Sequence, residues 1–176
     1  MGELTSVELP PLGPGDHVRG DGPEAILYLD LGCPQCAAVW LEARELSLRL
    51  CVRHFPLAAK HPRAPALHAA AEAAAAQGET AFWALWNSIY EDRAHVDDPH
   101  LWERARDIGL DLERFERDRR APEAAARVRA DLERGLRGGV VATPSAVVAG
   151  RLCGAGVEAE LRGLAAKIAP VREREF

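Results

Sequence analysis

Cysteine is scarce in this chain: four in 176 residues, too few for a disulfide scaffold, which a chain of this length does not need. Basic charge is not in excess either. Lys and Arg number 22 against 27 Asp and Glu, a formal charge of -5, whereas a protein built to hold nucleic acid needs a basic surface. Long hydrophobic runs are also missing. Residues 1–20 carry Pro10, Pro11 and Pro14 and no apolar stretch, while a secretory signal needs a basic start and about 7–15 apolar residues. The alanine-rich residues 64–77 are interrupted by His68 and Glu72 and are too short to cross a bilayer. The expectation is a cytoplasmic protein with no membrane insertion. What is present argues against disorder: 48% hydrophobic residues against 28% charged is enough apolar mass for a core. The length fits one domain, or one domain carrying a large insertion.

Residues 25–29, Ala-Ile-Leu-Tyr-Leu, form the short continuous apolar run expected of a strand buried on both faces. Asp30-Leu31-Gly32 turns the chain. From Pro34 onward, Cys36, Val39, Trp40, Ala43, Leu46 and Leu50 recur at spacings of three and four, one face of a helix. Residues 48–55 then alternate as a strand ended by Pro56. Such a strand–helix–strand unit implies two parallel strands with a right-handed crossover. Residues 63–137 are rich in Ala, Glu, Arg and Leu, with breaks at Gln77-Gly78, Asp97-Asp98-Pro99, Gly109 and Ala121-Pro122. These predict roughly four helices, the last ended by Gly138-Gly139. Strand character returns at 145–149, Gly150-Arg151 makes a hairpin turn into Leu152-Cys153, and an amphipathic helix over 157–168 closes the chain. The charged tail 172–176 is expected to fray.

Two of the cysteines fall together, Cys33-Pro34-Gln35-Cys36, at the junction of the buried strand and the helix. Pro34 suits the first helical turn, where its missing N–H costs nothing. Cys33 then lies at the N-cap, where free backbone N–H groups and the helix dipole favour an anion. A thiolate is stabilised there, which makes Cys33 the nucleophile. Cys36 lies one turn on, on the apolar face, within reach of a mixed disulfide formed at Cys33. That arrangement suits thiol–disulfide exchange. Structural zinc is disfavoured, because it takes four Cys or His ligands, usually in two close pairs, and Cys51, Cys153, His54 and His61 form no second pair. Thr143-Pro144 introduces the later strand, a position where proline is allowed; either peptide isomer is open from the sequence.

With those residues in view, the chain resembles the DsbA-like branch of the thioredoxin superfamily, especially its cytoplasmic or antiporter-associated members. The resemblance runs from residues 16–20 through 29–36, 53–57, His61-Pro62, 69–78, Phe82-Trp83, 109–111 and Phe115 to 139–144 and 147–150. It implies an α/β, thioredoxin-like fold with an α-helical insertion: a leader at 1–21, a discontinuous core at 22–62 and 138–172, and the insertion at 63–137. It further implies a thiol–disulfide oxidoreductase acting on protein or peptide thiols and disulfides. Its redox partner is undefined, glutathione is a small-thiol candidate, and no cofactor is needed beyond the Cys33–Cys36 pair. Pro34, Gln35, Thr143 and Pro144 would shape the site, with Pro144 as a cis-proline facing the cysteines. Val141, Ala142 and Thr143 would offer backbone groups to an extended substrate segment. Metal and nucleic acid are not implied. Alternatives are a thioredoxin-like peptide-binding or regulatory module with little turnover, and a glutathione-dependent transferase or isomerase.

Two positions depart from the family. Thioredoxin-like proteins carry a buried carboxylate six residues before the first cysteine, and here that residue is Leu27. The best-known relatives place His after the proline, and here it is Gln35, which adds no cation beside the Cys33 thiolate. A less acidic Cys33 is therefore expected. Elsewhere the structural reading prevails. Cys51 and Cys153 are expected to pack in the core, separated by two strands and beyond disulfide reach. Trp40, Trp83, Trp86, Phe82 and Tyr90 read as core, although Phe82-Trp83 could line a groove above Cys33. His54 is either a hydrogen-bonded structural histidine or a group that tunes Cys33. Asp30 reads as a turn former, and the Arg-rich run 114–129 as a solvated helix face.

Overall fold

The computed structural model describes residues 9–167. Among these, β1 (His17–Arg19), β2 (Glu24–Leu29), β3 (Arg49–His54), β4 (Ser145–Val148) and β5 (Arg151–Cys153) form one mixed sheet in the order β1-β3-β2-β4-β5. The continuous apolar run becomes the central strand: β2 is covered on both faces, with Ala25, Leu27, Tyr28 and Leu29 all at 0% exposure. It pairs in parallel with β3, Ile26 opposite Cys51 and Leu27 opposite Val52. Helix α1 (Pro34–Ala43) makes the crossover between them, the connection that parallel strands require. α1 ends sooner than the spacing of Leu46 and Leu50 suggests. Leu50 already belongs to β3, in register with Ala25, so the helix has to stop for the strands to align.

β4 runs antiparallel to β2 and β5 antiparallel to β4. The β4–β5 loop consists of Ala149 and Gly150, both at positive φ, 50° and 75°, the conformation that matches a two-residue hairpin to strand twist. β1 pairs antiparallel with β3 and forms the sheet's edge from within the stretch described as a leader.

The four breaks in the alanine-rich block delimit five helices, one more than expected: α2 (Ala64–Ala75), α3 (Glu79–Glu91), α4 (Asp98–Ile108), α5 (Leu112–Arg119) and α6 (Pro122–Arg137). Each break carries its own punctuation. Asp97 and Asp111 accept from the backbone N–H of the third residue of α4 and α5, at 3.1 and 2.9 Å, and Gly109 ends α4 in the left-handed conformation. These are the groups that satisfy orphaned helix-end donors and acceptors. A final helix, α7 (Val157–Ala166), closes the described part of the chain. Residues 168–176, with the last position of the expected closing helix and the charged tail, lie outside the described residues. No described helix is long and apolar enough to cross a membrane.

The sheet divides two cores. On one face Leu27, Leu29, Leu50 and Val52 meet Trp40 of α1, Leu67 of α2, Phe82 and Trp86 of α3, and Leu161 of α7. On the other, Ile26, Tyr28, Cys51 and Phe55 meet Leu132 of α6 and Val140 just after it. α6 approaches so closely at Gly135 that any Cβ there would lie 2.8 Å from the Tyr28 and Phe55 rings.

Candidate redox active site

The end of β2 is locked before the cysteines arrive. Asp30, fully buried, accepts from Gly32 N at 2.7 Å and from Leu57 N at 2.8 Å, while Cys33 N donates to Asp30 O at 3.0 Å. The residue read as a turn former thus also ties the turn to the chain leaving β3. Cys33 follows in extended conformation as the N-cap of α1, and its Sγ accepts from Cys36 N at 3.4 Å. Pro34 occupies the first turn, so the strand–helix junction aims backbone donors at sulfur.

The two sulfurs are electrostatically opposite. The Cys36 thiol, the Cys36 and Gln35 backbone N–H groups and Thr143 together bring Cys33 down to about 5 against the cost of burial, inside the span of reactive thiols and above its acidic extreme of ~3.5. Burial and the neighbouring Cys33 push the Cys36 thiol well above its ordinary value. Cys36 is 0% exposed, on the apolar face of α1, and its Sγ accepts from Asp30 N at 3.4 Å. Gln35 turns its Oε1 toward the Cys33 thiol at 3.3 Å.

The chain preceding β4 closes the site from across the fold. Thr143 O lies 3.9 Å from Cys33 Sγ, and the Thr143–Pro144 peptide is cis. The Thr143 hydroxyl is buried with no hydrogen-bond partner among the described residues, and Thr143 lowers the pKa of both thiols. Next to it Val141 is 84% exposed, and Ala142 O accepts from Ser145 Oγ at 2.7 Å. All the nominated site residues from 33–36 and 141–144 therefore gather at one end of the sheet.

The chain's residues 25–164 match the model of the DSBA-like thioredoxin domain. The chain belongs to that family. It is 36% identical over 161 residues to the Na(+)/H(+) antiporter NhaA of Herminiimonas arsenicoxydans, covering 85% of this chain and 25% of that relative. With NhaA 3 of Salinispora tropica it shares 35% identity over 144 residues, 77% of this chain and 22% of the relative. The chain thus spans about a quarter of the length of these curated relatives. A thioredoxin-like oxidoreductase from Silicibacter pomeroyi superimposes with a TM-score of 0.75 at 25% identity, over 88% of this chain and 92% of that one. BdbD from Bacillus subtilis, at 16% identity and TM-score 0.73 over 87% and 92% of the two chains, shares the fold.

In this DSBA-like domain the position of the usual buried carboxylate is apolar: Leu27 is fully buried between Val52 and Ala146 on the neighbouring strands. Behind the site lies a polar chain that sequence reasoning missed. Leu31 N donates to His68 Nε2 at 3.0 Å, His68 Nδ1 meets His54 Nδ1 at 2.6 Å, and His54 Nε2 meets Glu72 Oε1 at 2.5 Å. The backbone donor fixes every proton. His68 must carry its hydrogen on Nδ1, so His54 accepts there and donates from Nε2 to Glu72. His17 closes the chain, its Nε2 3.0 Å from Glu72 and its Nδ1 2.9 Å from Glu79. Facing a carboxylate on each side, it holds both protons, and its pKa is raised although burial opposes this. The same tautomers speak against a metal at His17, His54 and Glu72, whose donor atoms lie within 4.8 Å of one another: a His54 ligating through Nε2 would carry its proton on Nδ1, where the His68 N–H already points. His54 is therefore the hydrogen-bonded structural histidine. The visible signal was His68 and Glu72 one turn apart within an alanine-rich helix.

The other singled-out residues fall in the core, except Trp83, which is half-buried against it. Cys51 (0% exposed) and Cys153 (8%) are free thiols on β3 and β5, with β2 and β4 between them. Phe82 does not line an open groove; it is fully buried and stacked on His17, ring centroids 3.5 Å apart. Trp83 stacks on Trp40 at 5.5 Å.

Proposed function

We propose that this chain is a thiol–disulfide oxidoreductase that exchanges the Cys33–Cys36 pair with protein or peptide thiols. The observation that carries the reading is the opposition of the two sulfurs, an N-cap thiolate at Cys33 and a buried thiol at Cys36. In the oxidising direction a substrate thiolate attacks Cys33 Sγ, breaking the Cys33–Cys36 bond; Cys36 leaves and takes up a proton. A second substrate thiolate then attacks the substrate sulfur of the mixed disulfide, releasing Cys33 as the thiolate its surroundings favour. The substrate disulfide is gained and the protein disulfide becomes a dithiol, so two electrons are balanced without another cofactor. Val141, Ala142 and Thr143 align the substrate segment by strand addition.

Insulin reduction and dithiol oxidation by wild type, Cys33→Ser and Cys36→Ala test the proposal. Turnover in wild type that is lost in Cys33→Ser supports it. Equal, negligible rates in wild type and Cys33→Ser overturn it in favour of a peptide-binding or regulatory module, the reading that Leu27 at the carboxylate position favours. Full glutathione-dependent activity in Cys36→Ala would point to a transferase or isomerase.

A further inference from the structure

Beside the turn that leads into Cys33, the molecule carries a small cavity of about 190 Å³ lined by Leu31 and Gly32 and by the basic side chains Lys60, His61, Arg63 and Arg93. It adjoins the peptide just before Cys33. Arg93 Nη2 donates to Gly32 O at 3.1 Å, and His61 packs so tightly on Gly32 that any Cβ there would meet His61 Cβ at 2.6 Å. Only a glycine lets this corner approach the redox turn.

The charges of the corner are unspent. The protein is acidic overall, and Arg44, Arg53, Arg104, Arg114, Arg119, Arg127 and Arg134 all have carboxylate partners. Among the described residues Lys60, His61 and Arg93 have none, and only Arg63 is paired, with Asp98. Among the described residues Arg93 Nε is buried without an acceptor, an arrangement that costs free energy unless something arrives to take the N–H. Nor are these basic groups what acidifies the nucleophile, since the leading groups that lower Cys33 are thiol, amide and hydroxyl donors.

We propose that Lys60, His61, Arg63 and Arg93 form a carboxylate-binding subsite that selects disulfide substrates with an acidic group next to the reacting sulfur. The subsite rests on the oxidoreductase reading and gives it a substrate class. The cavity is smaller than the ~300–1,000 Å³ of pockets that enclose a whole ligand. It takes one end of a molecule whose disulfide lies over Cys33 and whose other flank follows Thr143. A guanidinium and an ammonium around a carboxylate are the strong, charge-assisted partners such an end requires. Two sources offer this chemistry: the free carboxylates of glutathione disulfide, and an Asp or Glu beside the cysteine of a polypeptide.

The test oxidises the reduced protein with three small disulfides that differ in charge: dithiodiglycolate (anionic), bis(2-hydroxyethyl) disulfide (neutral) and cystamine (cationic). Free dithiothreitol, oxidised by the same three, sets the intrinsic ratios. The expected result is an anionic-to-neutral rate ratio about tenfold above that reference, falling toward it in Arg93→Gln and in high salt. Because Arg93 also holds the Gly32 carbonyl, Lys60→Glu on the exposed turn is the second variant; there the cationic disulfide gains on the anionic one. Ratios equal to the reference, or unchanged in both variants, overturn the subsite while leaving the oxidoreductase intact. Failure of all three disulfides to oxidise the protein overturns both. A larger loss in Lys60→Glu with glutathione disulfide than with a Glu-flanked peptide disulfide assigns the small thiol as the source, and the reverse assigns the polypeptide. No loss with either overturns the proposal.

Discussion

Cys33 is acidic with no cation among the leading groups that lower it. Its thiolate rests on hydrogen-bond donors, the Cys36 thiol first, and the side chain at the variable position between the cysteines adds only a neutral amide oxygen at 3.3 Å. That contact faces a thiol better than a thiolate, so replacing it should matter. Gln35→His places an ionisable ring at the same N-terminal turn, and the expected outcome is a Cys33 pKa lower by about one unit. Stabilising the thiolate favours the reduced state, so the reduction potential should rise by about 30 mV. Thiolate absorbance against pH, with equilibration against glutathione, measures both; an unchanged pKa would sink the argument. The wild-type thiolate has a pH signature as well. Cys33 is lowered from 9.0 to about 5, so its contribution to the reduced fold is complete above pH ~9 and is lost as pH falls through 5. The disulfide form lacks this contribution. The gap in melting temperature between reduced and oxidised protein should therefore shift toward the oxidised form on acidification from 9 to 5.

Helix α2 does more than cover the sheet. Through Glu72 it receives His17 from the edge strand and His54 from β3, and through His68 it holds the Leu31 amide at the turn before Cys33. Glu72→Gln leaves an imidazolium with one carboxylate fewer inside a nearly closed site, a loss of about 3 kcal/mol in unfolding free energy. The pH profile separates the members. Glu72 is held well below its ordinary 4.5 by the two histidines, despite burial, so its contribution is complete above 4.5 and lost below it. His68, driven down to about 4 by burial, loses its contribution as pH falls from 6.5 to 4. His17 is raised, so its share is complete below 6.5 and lost as pH rises past its folded value. Chemical unfolding of Glu72→Gln should show a shallower acid limb below pH 4.5 than wild type, and parallel limbs would contradict the assignment. This network also marks the limit of what the sequence discloses. The β2–α1–β3 unit and the cysteine pair were legible because their signals are local: an apolar run, a three-and-four spacing, a proline in the first turn. The helical block was legible as helix, although its four breaks delimit five helices. His17 and Glu72 lie 55 positions apart, on an edge strand and a helix, and local periodicity carries no record of such a meeting. Leu27 and Gln35 were readable as departures, whereas the role of Asp30 at Leu57, 27 positions on, depended on the fold.

At the scale of the whole molecule, one buried ion cluster joins three layers. Arg53 on β3 is 0% exposed and reaches Asp16 at 2.9 Å, the Tyr28 hydroxyl at 3.1 Å and the carbonyls of Pro10 and Pro11 at 3.0 and 2.9 Å. Arg134 of α6 meets the same Asp16 carboxylate at 3.1 Å. The proline-rich segment before β1, the sheet and α6 are thereby tied at one point, which is why that segment follows the domain's surface. Burying a charged pair is expensive, and the attraction repays it only while every partner is present. Asp16→Asn removes the carboxylate and strands a buried guanidinium, so the expected cost is about 3–5 kcal/mol in denaturant unfolding, with faster proteolysis of residues 9–16. The paired variant Asp16→Leu/Arg53→Met removes both charges and puts apolar volume in their place. If compensation between charges is what the cluster supplies, the double variant recovers most of the single variant's loss, and its N-terminal segment is still cleaved quickly because the Pro10 and Pro11 carbonyls have lost their donor. If the double variant is no more stable than Asp16→Asn, the hydrogen bonds of Arg53 to those carbonyls and to Tyr28 contribute more than the ion pair, and the cluster acts chiefly as a backbone tether.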